Sequence, residues 1–215
     1  MNMETLDAAE VRVLGSLIEK EATTPEYYPL SLNALINACN QKSNRDPVVE
    51  YDEDTVYDAA TRLREKRFAL LNTGSGRVNK YSQRISETLN LGRRELAVLC
   101  TLLLRGAQTL GEIKDRSERM FNFADLAETE SVLEKLAEWP GGALVKKLAR
   151  QAGQKEARYA HLLSGEPVWE TTAASESHSV PAPTKVAQLE SDLQRLRSDF
   201  EELKQRFEAL EQQLR

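Results

Sequence analysis

The sequence predicts a mainly α protein with small β-hairpins (α+β), in which a duplicated unit is followed by a linker and a heptad-patterned helix. The first observation behind this prediction is an internal repeat, because Leu6–Lys20 lines up with Leu91–Arg105. The second is a change of pattern near residue 185, where large apolar residues begin to recur in steps of three and four. With 40% hydrophobic residues over 215 positions, the chain can form one large or two small cores.

Helix-start signals occur three times in each copy of the repeat. Asp7 and Glu10 have the spacing of a capping box at the start of the first helix. The second helices are predicted to begin after Ser31 in the first copy and after Thr109 in the second. The third helices are predicted over residues 52–67 and 126–139.

A β-hairpin is predicted after each third helix. Two short strand-like runs flank Gly74–Gly76 in the first copy, and two more flank a turn that contains Gly153 in the second. The order helix, helix, helix, hairpin is that of a winged helix-turn-helix, and the chain contains it twice. The sequence therefore predicts one winged-helix domain over residues 1–90 and another over residues 91–165.

The last fifty residues divide into a linker and a coiled-coil segment. Residues 166–184 are rich in Ser, Thr, Ala and Pro and lack an apolar period, which is typical of a flexible linker. Residues 185–215 carry an a/d heptad pattern without glycine or proline, and their e and g charges favour a parallel homodimer. The alternative is an amphipathic helix that folds back on its own globular part. The predicted dimer seam consists of Val186, Leu189, Leu193, Leu196, Phe200, Leu203, Phe207, Leu210 and Leu214.

Two polar blocks in the first copy, Thr23–Asn33 and Ala38–Val48, carry a resemblance to a known family. Together with residues 102–109 and 153–159, they resemble the YceH family of uncharacterised bacterial proteins. The resemblance covers essentially the whole chain and implies two tandem winged-helix domains. It brings no catalytic or ligand-binding residues with it.

The sequence gives no support to catalysis or metal binding. One of its two histidines, His178, lies in the predicted linker, and no Ser/His/Asp or Cys/His set can be assembled. Cys39 and Cys100 lie on apolar helix faces, where we expect buried, unreactive thiols. No metal-ligand spacing is present, so we expect a protein that is not an enzyme and needs no cofactor.

Membrane and secretory segments are not expected either. The first residues lack a basic region followed by an apolar stretch, and no run approaches 18 apolar residues. Two cysteines cannot form a disulfide framework, so we expect a cytoplasmic protein with no membrane association.

Duplex DNA is the partner that a winged helix most directly predicts, since its third helix enters the major groove and its wing meets the backbone. The net charge of −5 argues against general coating of polyanions, so contacts must come from local groups. The loop between the second and third helices is more polar than a turn requires, and both wings are basic. The alternative is that this loop is purely structural. The candidate contacts are Asn40, Gln41, Lys42, Asn44 and Arg45 in the loop, Arg77, Lys80 and Arg84 in the first wing, and Lys146, Lys147, Arg150, Lys155 and Arg158 in the second.

The third helices fit DNA less well than the wings do. The first opens with Asp52-Glu53-Asp54, and the second contains Glu128, Glu130 and Glu134. These carboxylates suit the positive end of a helix dipole but oppose a phosphate surface. The leading hypothesis from the sequence is still a dimeric, regulator-like DNA-binding protein. The alternative is an adaptor whose winged helices and coiled coil dock on an unknown protein partner.

Overall fold

The structure is a computed structural model that describes residues 4–73, 78–151 and 154–167, together with Lys204. The described residues up to Pro167 belong to one compact unit. The turn at Gly74–Gly76, Gly153, the wing residue Arg77 and most of the predicted linker and coiled-coil segment lie outside the described residues. The predictions made for those positions stay predictions.

Seven α-helices and six short strands are found in the described ranges, and they follow the order of the repeat. The first copy contains α1 (Ala8–Thr23), β1 (Leu30–Ser31), α2 (Leu32–Cys39), α3 (Glu53–Glu65), β2 (Ala69–Asn72) and β3 (Lys80–Gln83). A 3₁₀ turn at Pro25–Tyr27 and the short α4 (Ile85–Thr88) accompany it. The second copy contains α5 (Arg93–Arg105), β4 (Gln108–Thr109), α6 (Leu110–Ser117), α7 (Leu126–Ala137), β5 (Val145–Lys147) and β6 (Arg158–His161).

The starts of α1, α2 and α6 lie where the sequence placed them, because a local hydrogen bond caps each of them. Asp7 and Glu10 form the predicted capping box, with each side chain accepting from the other's backbone N–H at 2.8 Å. Thr109 forms the equivalent box in the second copy. The Ser31 hydroxyl caps α2 by accepting from Ala34 N at 3.3 Å.

The two sheets are three-stranded and antiparallel, with orders β1-β3-β2 and β4-β6-β5. The hairpins β2–β3 and β5–β6 were predicted, although β3 begins at Lys80, three residues later than expected. The strands β1 and β4 were not predicted, since two residues are too few to show an apolar period. Each leads directly into a helix and pairs with the central strand, as Ser31 does with Lys80 and Thr109 with Arg158.

A single hydrophobic cluster runs through both copies of the repeat. It is densest where α1 meets α5, and the approach is closest at Gly15. A Cβ atom added there would lie 2.8 Å from the Leu104 side chain, and the Cys100 thiol donates to Gly15 O at 3.3 Å. The two copies therefore share buried surface, and the division into domains at residue 90 stays a prediction.

Candidate nucleic-acid interface

The polar loop between α2 and α3 was predicted to offer hydrogen-bonding groups to nucleic acid. Asn40 instead closes the loop on itself: its side-chain amide donates to Tyr51 O and accepts from Tyr51 N, both at 2.8 Å. Asp46 N donates to Leu104 O at 2.9 Å, which fastens the loop to α5. Asn44 Oδ1 accepts from the Arg105 guanidinium. These groups are engaged inside the protein.

Arg45 is the strongest departure from the expected phosphate contacts. Its side chain has no exposed surface, and its guanidinium lies 2.7 Å from the Glu19 carboxylate. It also donates to Ala38 O at 2.8 Å and to Gln41 Oε1 at 3.0 Å. A buried cation requires such a full set of partners, so Arg45 is a structural residue here and cannot meet a phosphate without leaving them.

Sequence reasoning missed a second buried arginine, Arg12 on α1. Its guanidinium donates to Cys39 O at 3.2 Å and to Pro47 O at 2.5 Å, and so holds both ends of the loop. Burial, together with the positive charge of Arg45, lowers the pKa of Arg12. The available signal was its position between Val11 and Val13 in an apolar run. Within the loop Lys42 stays exposed, so the structure favours the structural alternative for this segment.

Most of the described wing cations are exposed and Arg158 is half-buried, but several already have carboxylate partners. Lys146 lies 2.6 Å from Glu166, and Arg158 lies 3.1 Å from Glu112 and also donates to Ala107 O. Lys147 lies 3.4 Å from Glu130 and 5.3 Å from the Tyr159 ring centre. In the first wing, Lys80 is exposed and Arg84 lies 3.4 Å from Glu87. Arg150 and Lys155 are exposed and have no ion-pair partner among the described residues.

The basic residues of the third helix α3 partly turn inward. Arg62 lies 2.7 Å from Asp7 and 3.6 Å from the buried Glu10, and Lys66 lies 2.7 Å from Glu10. These pairs hold α3 against the start of α1. Four cations lie near the end of this helix, and these pairs engage two of them, leaving Arg64 and Arg67 exposed.

The outward surface of α3 is acidic and carries one large aromatic side chain. Asp54, Tyr57, Asp58 and Glu65 are exposed, and their helical spacing places them on one face. The exposed Arg64, seven residues after Tyr57, lies beside it, so this face carries three carboxylates and one cation. Tyr57 keeps 49% of its surface exposed. We call this face the α3 acidic face. It opposes a phosphate backbone by like charge.

The third helix α7 of the second copy has the same character. Its single lysine, Lys135, lies 2.6 Å from the buried Glu95 and 5.3 Å from the Trp139 ring centre. Glu134 and Glu138 point to solvent at the end of the helix. Neither third helix thus presents a basic, base-reading surface.

The titratable groups of the interior are held in unreactive forms. Burial raises the pKa of the Cys39 thiol to about 11 and raises that of Cys100 as well, so both remain protonated, as their apolar positions predicted. Burial lowers the pKa of His161 to about 4. Among the residues that the structure describes, no group of three His, Cys, Asp or Glu side chains is placed to hold a metal ion.

No helix in the described ranges has both the length and the apolar character needed to cross a bilayer. The described elements define a mixed α/β protein built from two copies of a helix–sheet unit, with acidic third helices and a basic second hairpin.

Comparison with known proteins places this chain in a family. The chain belongs to the family described as "Protein of unknown function, DUF480", whose model matches residues 6–154. A UPF0502 protein from Solibacter usitatus is 60% identical over 161 residues, covering 75% of this chain and 77% of the relative. Others from Citrifermentans bemidjiense and Vibrio atlanticus are 54% and 46% identical, covering 88% and 87% of this chain and 88% and 90% of theirs.

Proposed function

We propose that this protein is a docking adaptor: each copy is a winged helix, and the α3 acidic face binds a basic surface of a partner protein. The proposal includes no catalytic step and no cofactor, and it takes the YceH family and the DUF480 family to be the same. The observation that carries it is the pairing of Arg62 and Lys66 with carboxylates at the start of α1, which leaves an excess of carboxylates on the outer side of α3.

Electrostatics favours a protein partner over a nucleic acid at this face. A recognition helix gains affinity from cations that neutralise phosphates, whereas Asp54, Asp58 and Glu65 repel them. An exposed aromatic ring within a charged rim suits a protein interface, where tyrosine supplies contact area and charge complementarity guides the encounter. Tyr57 and its acidic neighbours provide this combination.

The test is a photo-crosslinking amino acid at position 57 of the full chain, used in cells and read by mass spectrometry. We expect one predominant protein adduct that Asp54→Lys with Asp58→Lys removes. The matched control, Glu50→Lys with Glu156→Lys, reverses two exposed carboxylates elsewhere and should keep the adduct. An adduct that survives the first reversal, or no adduct at all, would contradict docking at this face.

The second candidate is duplex DNA bound through the β5–β6 hairpin, and the exposed Arg150 and Lys155 favour it. Fluorescence anisotropy with a labelled duplex across a salt series tests this candidate. Phosphate contacts predict affinity that falls with salt, and Lys155→Ala should lower the salt slope by about 1. Indifference to duplex DNA at low ionic strength removes the candidate and leaves the docking proposal in place.

We also propose that residues 185–215 pair two chains as a parallel coiled coil, on the heptad pattern of the sequence. A chain cut after Glu166 should then be a monomer by light scattering, while the full chain is a dimer. Equal oligomeric states for the two chains would exclude the seam.

A further inference from the structure

A small depression in the surface collects arginines from two helices. It lies where the ends of α1 and α5 meet α6 and the loop that follows α2. Its lining includes Glu19, Thr23, Asn44, Thr101, Arg105, Arg116 and Arg119. None of these arginines was among the expected phosphate contacts, because residues 105, 116 and 119 share no local motif.

Positive charge exceeds negative charge in this depression. Glu19 contributes its only lining carboxylate, and that group is already bonded to the buried Arg45 at 2.7 Å. Arg116 lies 3.3 Å from Glu112, which also meets Arg158. Two cations, Arg105 and Arg119, are then left without a carboxylate within ion-pair distance among the described residues.

Arg105 is the more constrained of these two cations. Its guanidinium donates to Asn44 Oδ1, a neutral acceptor. Burial and the nearby positive charges of Arg116 and Arg45 lower the pKa of Arg105, although Glu19 and Asp46 oppose this effect. Like charges held this close repel one another, and an anion between them relieves that repulsion.

We propose that this depression binds the terminal phosphate group of a small phosphate ester, with Arg105, Arg116 and Arg119 donating hydrogen bonds to its oxygens. Planar guanidinium groups match phosphate oxygens in geometry, and two uncompensated cations match a phosphate dianion in charge. The depression is small, at about 30 Å³, so the phosphate group enters it and the rest of the ester lies outside. The site lies apart from the α3 acidic face and does not depend on the docking proposal.

The first test is titration of the full chain with inorganic phosphate at low ionic strength, followed by calorimetry. We expect saturable binding with a dissociation constant of about 1 mM or tighter. Arg119→Gln should weaken it about tenfold, because a charge-assisted hydrogen bond is lost, and this exposed residue has no partner in the described part of the chain whose loss could unfold the protein. The control Arg150→Gln removes the same charge from an exposed site elsewhere and should change binding less than twofold.

Three results would overturn the site: no saturation by about 20 mM phosphate, an effect of Arg150→Gln equal to that of Arg119→Gln, or binding unchanged by Arg119→Gln. A competition arm identifies the source of the phosphate. Displacement by glycerol 3-phosphate supports a small ester. Displacement by a blunt duplex but not by glycerol 3-phosphate would overturn the small-ligand proposal and assign the arginines to a nucleic-acid backbone.

Discussion

The two copies of the repeat place equivalent side chains at equivalent points of their sheets and helices. Tyr81 and Tyr159 are both buried on the central strand, each beside the strand that leads into the second helix. Glu10 and Glu95 occupy the same turn of their first helices and are both buried. The copies thus share one plan, which makes their differences informative.

Both buried glutamates bind a cation from the third helix of their own copy. Glu10 lies 2.7 Å from Lys66 and 3.6 Å from Arg62, whereas Glu95 lies 2.6 Å from Lys135 alone. The pair fixes the third helix against the first. In the first copy it also buries most of Lys66, whereas Lys135 of the second copy stays largely exposed.

The copies differ in how they close the interval between the second and third helices. The first copy uses a polar network around Arg12 and Arg45. The second uses aromatic packing, with Phe123 buried and its ring centre 4.8 Å from that of Phe121. The two copies thus close the same interval in two different ways. The polar loop of the first copy resembles a binding loop in sequence because its side chains are of the types that bind nucleic acid.

Removing the polar anchor of the first copy should have the largest effect. Arg45→Met leaves Glu19 buried and unpaired, and we expect the free energy of unfolding in urea to fall by about 3–5 kcal/mol. Lys42→Met, in the same loop but exposed, should change it by less than about 0.5 kcal/mol. Adding Glu19→Leu to Arg45→Met should restore part of the loss. A loss below about 1 kcal/mol for Arg45→Met would contradict the claim that the polar network around Arg45 closes this interval in the first copy.

Removing the buried ring of Phe123 from the second copy should lower the free energy of unfolding slightly less than Arg45→Met does. Phe123→Ala leaves a cavity in the core, and we expect a loss of about 3–4 kcal/mol in the same urea measurement. The neighbouring exposed Asn122 provides the control, since Asn122→Ala should be nearly neutral. A small effect of Phe123→Ala would mean that this interval is not closed by packing.

The ion pair between the buried glutamate and the third helix should contribute more to the free energy of unfolding in the first copy than in the second. We expect Glu10→Gln to cost about 2 kcal/mol and Glu95→Gln about 1 kcal/mol, because Lys135 is 60% exposed and solvent screens its charge. Burial alone raises the pKa of Glu95, but hydrogen bonds from Lys135 and the backbone hold it below its ordinary value.

The depressed pKa of Glu95 makes its contribution pH-dependent. The stabilisation is present above the ordinary pKa and is lost as pH falls through the folded-state value. Unfolding curves of the wild type and Glu95→Gln should therefore converge below about pH 4.5. Curves that stay parallel through this range would contradict the pairing.

The smallest effect concerns the last residue of the central strand, which is Gln83 in the first copy and His161 in the second. Gln83 is fully engaged, donating to Glu21 at 2.6 Å, whereas His161 Nδ1 is buried without a partner among the described residues. The unfolded chain protonates His161 near pH 6.5 and the folded chain only near pH 4, so stability should fall as pH is lowered across that window.

We expect His161→Leu to reduce this pH-dependent loss by about 0.7 kcal/mol between pH 7 and pH 6, measured by urea unfolding at each pH. Gln83→Leu is the control: it should change the level of stability but not its slope with pH, since glutamine does not titrate. An unchanged slope in His161→Leu would mean that the imidazole titrates normally.

Local signals account for what could be predicted from the sequence. The caps at Asp7, Ser31 and Thr109 are decided by neighbouring residues, and the helix predicted over residues 52–67 is observed as α3, with Asp52 as its N-cap. The two-residue strands escaped prediction because their pairing with β3 and β6 is distant in sequence. The role of Arg45 escaped it for the same reason, since its partner Glu19 comes from another helix.

The sequence by itself determined the duplicated order of helices and hairpins, the helix starts and the inertness of both cysteines, because capping, apolar periodicity and side-chain chemistry act over a few residues. Only the tertiary structure decided which polar groups remain free. Arg45, Arg62 and Lys66 pair with carboxylates on α1 or at its N-cap, while Arg105, Arg116 and Arg119 meet at one depression. The physical reason is that a charge is neutralised by whatever lies near it in space, and distance along the chain does not reveal that neighbour.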